Sequence, residues 1–170
     1  MGPIETKAKE YAEFCHSSTN HHYDEFPYSF HLQMVRNAGE KFIHLIPEEN
    51  RDIVLAGCWV HDTIEDARQT YNDVKSNTSE DVAEIAYALT NEKGKNRSER
   101  ANDKYYQGIK NTPFGTYVKL CDRIANIQYS KKKGEKMISL YRKENPNFEE
   151  KLYSPLYDEM FKYIRELLEH

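Results

Sequence analysis

The sequence predicts an all-α fold with one buried helix at its centre. Three observations carry that expectation. Only seven Gly and six Pro punctuate 170 residues, too few for a turn-rich β architecture. Apolar residues recur at helical spacing, as in Met34, Val35, Ala38 and Phe42, which places them on one helix face. The run Ile53-Val54-Leu55-Ala56-Gly57-Cys58-Trp59-Val60 is apolar nearly all round, the mark of a helix enclosed by others.

A first helix is expected over about residues 5–18, with Tyr11, Phe14 and Cys15 facing inward. A polar, aromatic loop over residues 20–28 follows, and a second helix begins near Ser29 and carries His31. Pro47 reads as the first residue of the central helix, a position where the missing N–H costs nothing. Thr78, with Asp81 three residues on, resembles a capping signal for a helix over residues 82–89. Residues 91–104 are strongly charged, part loop and part helix, and Pro113 starts a helix that runs through Tyr117 and Asp122 to Ile127. Two amphipathic helices fill the C-terminus, the last around Tyr157, Met160, Phe161, Ile164, Leu167 and Leu168. With no repeat, low-complexity segment or long linker, residues 1–170 are read as a single domain, large enough to bury roughly 70% of its unfolded surface.

Charged residues make up 31% of the chain, but thirteen Tyr, seven Phe and one Trp set it apart from disordered sequences, which are poor in aromatics. The formal charge of −4 gives no general attraction to nucleic acid or anionic membrane. No apolar run reaches the roughly 20 residues of a membrane span, and the N-terminus lacks a signal-peptide pattern. Cys15, Cys58 and Cys121 are scattered and odd in number, so reduced thiols and a cytoplasmic location are expected.

The chemistry concentrates in Trp59-Val60-His61-Asp62-Thr63-Ile64-Glu65-Asp66. On a helix, His61 and Glu65 share a face, as do Asp62 and Asp66. Asp122 and Asn126 are likewise four apart, with Lys119 three before Asp122, and His31 comes from a third helix. Buried acids are unfavourable unless a cation or proton compensates them. His31, His61, Asp62 and Asp122 are therefore read as metal ligands, a nitrogen and oxygen set suited to manganese, iron, zinc or nickel. A bound cation lowers the pKa of water and screens charge on phosphorus, and Glu65 or Asp66 would position or deprotonate that water. No nucleophilic triad is apparent.

The order His31, His61-Asp62, Glu65-Asp66, Asp122 resembles the HD-domain metal-dependent phosphohydrolases. More narrowly, it is similar to the hydrolase domain of RelA/SpoT-type alarmone enzymes and their stand-alone small relatives. Pro27-Tyr28 before His31 and the string Val118-Lys119-Leu120-Cys121-Asp122-Arg123-Ile124-Ala125-Asn126 carry that narrower likeness, which spans about residues 5–130, with further C-terminal helices over 131–170. The resemblance implies an HD-domain helical bundle with a metal-binding cleft. It also implies manganese on His31, His61, Asp62 and Asp122, water activation by Glu65 and Asp66, and a ribose contact from Asn126. The implied reaction removes the 3′-pyrophosphate of ppGpp or pppGpp to leave GDP or GTP, in a chain without the synthetase and regulatory domains of the long enzymes.

One departure stands out. Where the family usually has an Arg-Lys pair before the Pro-Tyr, this loop reads His21-His22-Tyr23-Asp24-Glu25-Phe26, so His22 and Tyr23 are the candidates to stack on a base. Leu32 also stands where the family commonly has proline. Among Lys93, Lys95, Arg97, Arg100 and Lys104, the residues Arg97 and Arg100 are the best candidates to receive phosphate. Lys131, Lys132 and Lys133 read as a solvated helix end, and His16, His21, His44 and His170 as surface residues. The partner expected is a small nucleotide, with homo-oligomerisation left open. Three alternatives remain: an HD hydrolase of another nucleotide (the 2′-phosphate of NADPH, or a deoxynucleotide), a non-catalytic nucleotide-binding module, and a helical structural protein.

Overall fold

The computed structural model describes residues 1–134 and 136–169, and it is all-α apart from one minimal hairpin. The chain begins with α1 (Pro3–Ser18). Its N-terminal amides are satisfied from a distance: the Asp52 carboxylate accepts from the N–H groups of Ile4 at 3.0 Å and Glu5 at 2.9 Å. The two-residue strands β1 (His22–Tyr23) and β2 (Phe26–Pro27) pair antiparallel, with Tyr23 opposite Phe26. Between them Asp24 takes a left-handed conformation at φ 56°, which aspartate tolerates better than most residues. The segment expected as a plain loop is thus folded on itself.

Next come α2 (Ser29–Lys41) and, after two 3-10 turns, α3 (Arg51–Val60). Pro47 does not open α3; it precedes the 3-10 turn Glu48–Asn50 that leads into it. Every residue of α3 from Val54 to Val60 is buried, as its sequence predicts. Val54 and Cys58 face one core cluster, whereas Ala56, Trp59 and Val60 face a second. A Cβ at Gly39 would meet Cys58 Sγ at 3.1 Å and one at Gly57 would meet Ile85 at 3.2 Å, so glycine lets these helices approach closely.

The one-turn α4 (Thr63–Asp66) follows, then α5 (Tyr71–Asn77), an unforeseen helix with a reciprocal cap between Thr70 and Asp73. α6 (Glu80–Ala88) is capped by the Ser79 hydroxyl and not by Thr78, whose side chain instead closes α5 on Val74 O at 2.6 Å. Asn96 caps the short α7 (Arg97–Arg100) and Asn102 caps α8 (Asp103–Asn111). α9 (Gly115–Lys133) starts two residues beyond Pro113. Phe114 reverses the chain there at φ 65°, and a Cβ on Gly115 would lie 2.6 Å from Ile109 O. α10 (Met137–Leu152) and the amphipathic α11 (Asp158–Glu169) complete the fold.

α3 packs on α1, α2, α6 and α9, while α10 and α11 cover the far side of α9. On α1 the inward stripe is Glu5, Ala8, Ala12, Cys15 and His16; Phe14, expected inside, is 70% exposed. Lys131, Lys132 and Lys133 form the exposed end of α9 as expected. His44 is exposed beside Glu159, and His170 lies outside the described residues. Among the described residues, no helix is long and apolar enough to cross a membrane.

Because Asp52 reaches α1 from another helix, Asp52→Ala should unfreeze the α1 N-terminus at a cost of about 1–2 kcal/mol, the range for a lost cap. Urea denaturation should show a lower midpoint with an unchanged slope, and an unchanged midpoint contradicts the cap.

Candidate metal centre

The break after α3 creates the site. His61 is the residue that ends α3, and Asp62 the one that starts α4. This corrects the reading of His61-Asp62-Glu65-Asp66 as one continuous helix face, although a helical hydrogen bond of 2.8 Å still links Asp66 N to Asp62 O. α2 delivers His31 and the middle of α9 delivers Asp122.

All four residues are buried, and one ligand atom from each lies within 4.8 Å of the other three. His31 Nε2 stands 3.0 Å from Asp122 Oδ1 and 4.0 Å from Asp62 Oδ2. His61 Nε2 stands 3.0 Å from Asp62 Oδ2 and 3.3 Å from Asp122 Oδ1. Ligands roughly 2.0–2.2 Å from one cation are separated by about 3–4 Å, so these spacings suit a single ion. The tautomer of His61 also fits. Its Nδ1 donates to Cys58 O at 2.8 Å, leaving a buried Nε2 with no hydrogen-bond partner and a lone pair aimed at the cluster.

Electrostatics point the same way. Burial opposes charge on Asp62, but the adjacent His61 holds its carboxyl down at about 2. Burial likewise disfavours the anion of Asp122, yet Lys119, His31 and His61 hold it well below the usual carboxylate range. In turn burial works against a charged His61, and the two carboxylates outweigh it and raise its pKa. Two buried anions thus call for compensating positive charge, and the cluster could hold a divalent cation that supplies it.

A second ring of side chains fixes the ligands. The Tyr28 hydroxyl donates to Asp62 Oδ2. Lys119 Nζ donates to Asp122 Oδ2 and Asn126 Nδ2 to Asp122 Oδ1, both at 3.2 Å. The Tyr23 hydroxyl donates to Asn126 Oδ1 at 2.8 Å, and its ring stacks on His31 at 4.6 Å. Tyr23 and Asn126, singled out separately in the sequence, therefore form one unit at the edge of the cluster. His22 is exposed, with Nδ1 2.9 Å from Asn20 O on its own loop.

Glu65 and Asp66 approach from α4, and their carboxylates lie within 4.8 Å of Asp62. Burial and Asp62 raise the pKa of Glu65, whose Oε1 accepts from Asn91 N at 2.9 Å. Burial, then Asp62 and Glu65, raise Asp66 to about 7. A carboxyl group near neutrality can hold and release a proton at working pH.

Arg97 and Arg100 stand on the wall of a cavity of about 480 Å³ that Lys119 and Asn91 also line. Lys93, Lys95 and Lys104 are not among its lining residues, and Lys104 pairs with Glu92. Sequence reasoning missed Tyr28 as a partner of Asp62, and it misplaced His16 on the surface. His16 is 1% exposed, stacks on Tyr28 at 4.5 Å and lies 2.9 Å from His21 through their Nδ1 atoms. Burial lowers its pKa to about 4. Its place four residues after Ala12 on the buried stripe of α1 was the available signal. No family model matches the chain, and no curated protein matches it.

Asp122→Ala removes an anionic ligand that bridges toward both imidazoles. The metal content after incubation with manganese and desalting should fall severely, and manganese should no longer raise the melting temperature. Equal metal content in wild type and variant would remove Asp122 from the ligand set.

Proposed function

We propose that this chain is a metal-dependent nucleotide phosphohydrolase of the HD type, and that its first substrate class is the 3′-pyrophosphorylated guanine nucleotides ppGpp and pppGpp. One observation carries the reading: His31, His61, Asp62 and Asp122 converge in the order of the HD signature, with Glu65 and Asp66 beside them. The mixed nitrogen and oxygen donors can take manganese, the ion that the family resemblance implies. When bound, the ion would polarise phosphate oxygens and acidify water.

The residues of the chain divide the remaining work. His31, His61, Asp62 and Asp122 would hold the ion, and Tyr28, Lys119 and Asn126 keep the two aspartates in place. Asp66, poised near neutrality, takes a proton from water, and Glu65, fixed by Asn91 N, orients that water. Water oxygen bonds to the phosphorus attached to the 3′ oxygen, the P–O3′ bond breaks and pyrophosphate departs. The proton accepted by the carboxylate returns to the 3′ oxygen, leaving GDP or GTP. Tyr23 and Asn126 would contact the nucleoside at the rim. The three buried free cysteines suit a reducing, cytoplasmic setting.

A second reading has its own observation. The loop lacks the arginine that would read guanine, His22 faces solvent, and the Tyr23 hydroxyl is engaged by Asn126. A base stacked there is recognised by its π-face more than by its donors and acceptors, which fits another phosphorylated nucleotide such as NADPH or a deoxynucleotide.

Manganese-loaded protein incubated with a nucleotide panel should release pyrophosphate from ppGpp; orthophosphate from NADPH or triphosphate from a deoxynucleotide would instead favour the second reading. Glu65→Gln should lower turnover roughly 100-fold while metal content stays near normal. A panel with no product at all sinks the hydrolase reading, and a fully active Glu65→Gln sinks the role of Glu65.

A further inference from the structure

The last turn of α1 carries a polar group that packing alone does not explain. His16 lies on the buried stripe of that helix, after Ala8 and Ala12, and is 1% exposed. Its Nε2 is buried and has no hydrogen-bond partner among the described residues. An apolar side chain of similar size would fill the same space without that penalty. What the imidazole provides is its other nitrogen, Nδ1, which stands 2.9 Å from Nδ1 of His21. Burial lowers the pKa of both rings, that of His16 to about 4, so near neutrality both are uncharged. One Nδ1 then donates and the other accepts. The two rings therefore take opposite tautomers, and each fixes the orientation of the other.

The pair is built around Tyr28. The Tyr28 ring stacks on His21 at 4.0 Å and on His16 at 4.5 Å, with interplanar angles of 17° and 27°. The backbone repeats the link: His21 N donates to His16 O at 2.9 Å, and Tyr28 N donates to His21 O at 3.2 Å. Tyr28 is thus joined to the end of α1 through rings and main chain alike. α1 in turn packs on α3, the helix that ends at His61.

Through its hydroxyl Tyr28 meets the metal cluster. That hydroxyl donates to Asp62 Oδ2, the oxygen that faces His61 Nε2 at 3.0 Å and His31 Nε2 at 4.0 Å. A free carboxylate rotates about its own bond, and a ligating one must keep a single oxygen aimed at the ion. The hydroxyl enforces that aim only while the ring that carries it is kept from tilting. His16 and His21 supply the restraint, although neither is among the four clustered residues.

We propose that His16 and His21 are positioning residues of the metal centre: as a hydrogen-bonded pair they fix the ring of Tyr28 and, through its hydroxyl, the orientation of Asp62. The proposal rests on the reading of His31, His61, Asp62 and Asp122 as ligands of one cation. It can be tested without turnover.

The experiment measures manganese affinity from the electron paramagnetic resonance signal of the free ion. His16→Phe and His21→Phe each keep a flat ring in the stack and remove the hydrogen bond between the pair. Each should weaken manganese binding roughly 10–100-fold, the range for lost partners of ligating residues. His16→Asn puts an amide where Nδ1 stood and should bind manganese more tightly than His16→Phe does. Tyr28→Phe should weaken binding on the same scale, and His16→Phe added to it should cause no further loss, because both act through one hydroxyl. A role in packing alone predicts the reverse: Phe tolerated, Asn worse than Phe, and losses that multiply in the double variant. His21 is half-buried, so folding is not at issue for His21→Phe. Wild-type affinity in that variant, or full multiplication of the losses from His16→Phe and Tyr28→Phe, overturns the proposal and leaves the ligand reading standing. If wild type itself binds no manganese, the ligand reading fails and the proposal falls with it.

Discussion

Asp62 and Asp122 are anions buried beside two imidazoles, and the surrounding architecture follows from keeping them charged and in register. Two carboxylates so close together repel, and burial adds to the cost. Every neighbour works against those penalties: Tyr28 donates to Asp62, while Lys119 and Asn126 donate to Asp122. The net result is a pocket whose chemistry is incomplete without positive charge, whether a proton on His61 or a divalent ion.

The helices supply the precision. α3 is buried from Val54 to its end and is fixed by four helices, which anchor its C-terminal end. Ending it at Val60 places His61 and Asp62 at a turn and not along a helix flank, and one tight turn further on places Glu65 and Asp66 within reach. Asp122 sits mid-helix in α9, where packing on α2, α3, α10 and α11 holds its backbone. Groups mounted on such rigid elements keep the sub-ångström geometry that metal and proton chemistry require. The exposed hairpin carrying Tyr23 is different in kind, a small adjustable edge tied down through Asn126 and through Asp24, which accepts from Tyr129 at 2.5 Å.

Much of this was legible in the sequence because it depended on local pattern. The all-apolar run identified α3 as central, and the order His31, His61-Asp62, Asp122, through its resemblance to the HD signature, identified the residues that converge. What escaped depended on tertiary contact. A continuous helix through Asp66 was the natural inference from spacing, since nothing in the composition marks the break at His61. The Thr78 assignment failed because Ser79, one residue later, competes for the same role and Thr78 serves the preceding helix. His16 looked like surface because histidine is polar, although its helical position put it on the buried stripe. The Arg97–Glu144–Arg123 bridge joins residues 47 and 21 positions apart, beyond the reach of any local rule.

The central claim is that His31, His61, Asp62 and Asp122 together hold one divalent cation. Crystals grown with manganese and measured at a wavelength where manganese scatters anomalously test it most directly. The account predicts one strong anomalous peak about 2.0–2.3 Å from the two Nε2 atoms and from an oxygen of each aspartate. An anomalous map without a peak among these four residues, or with its manganese bound elsewhere on the chain, would contradict it.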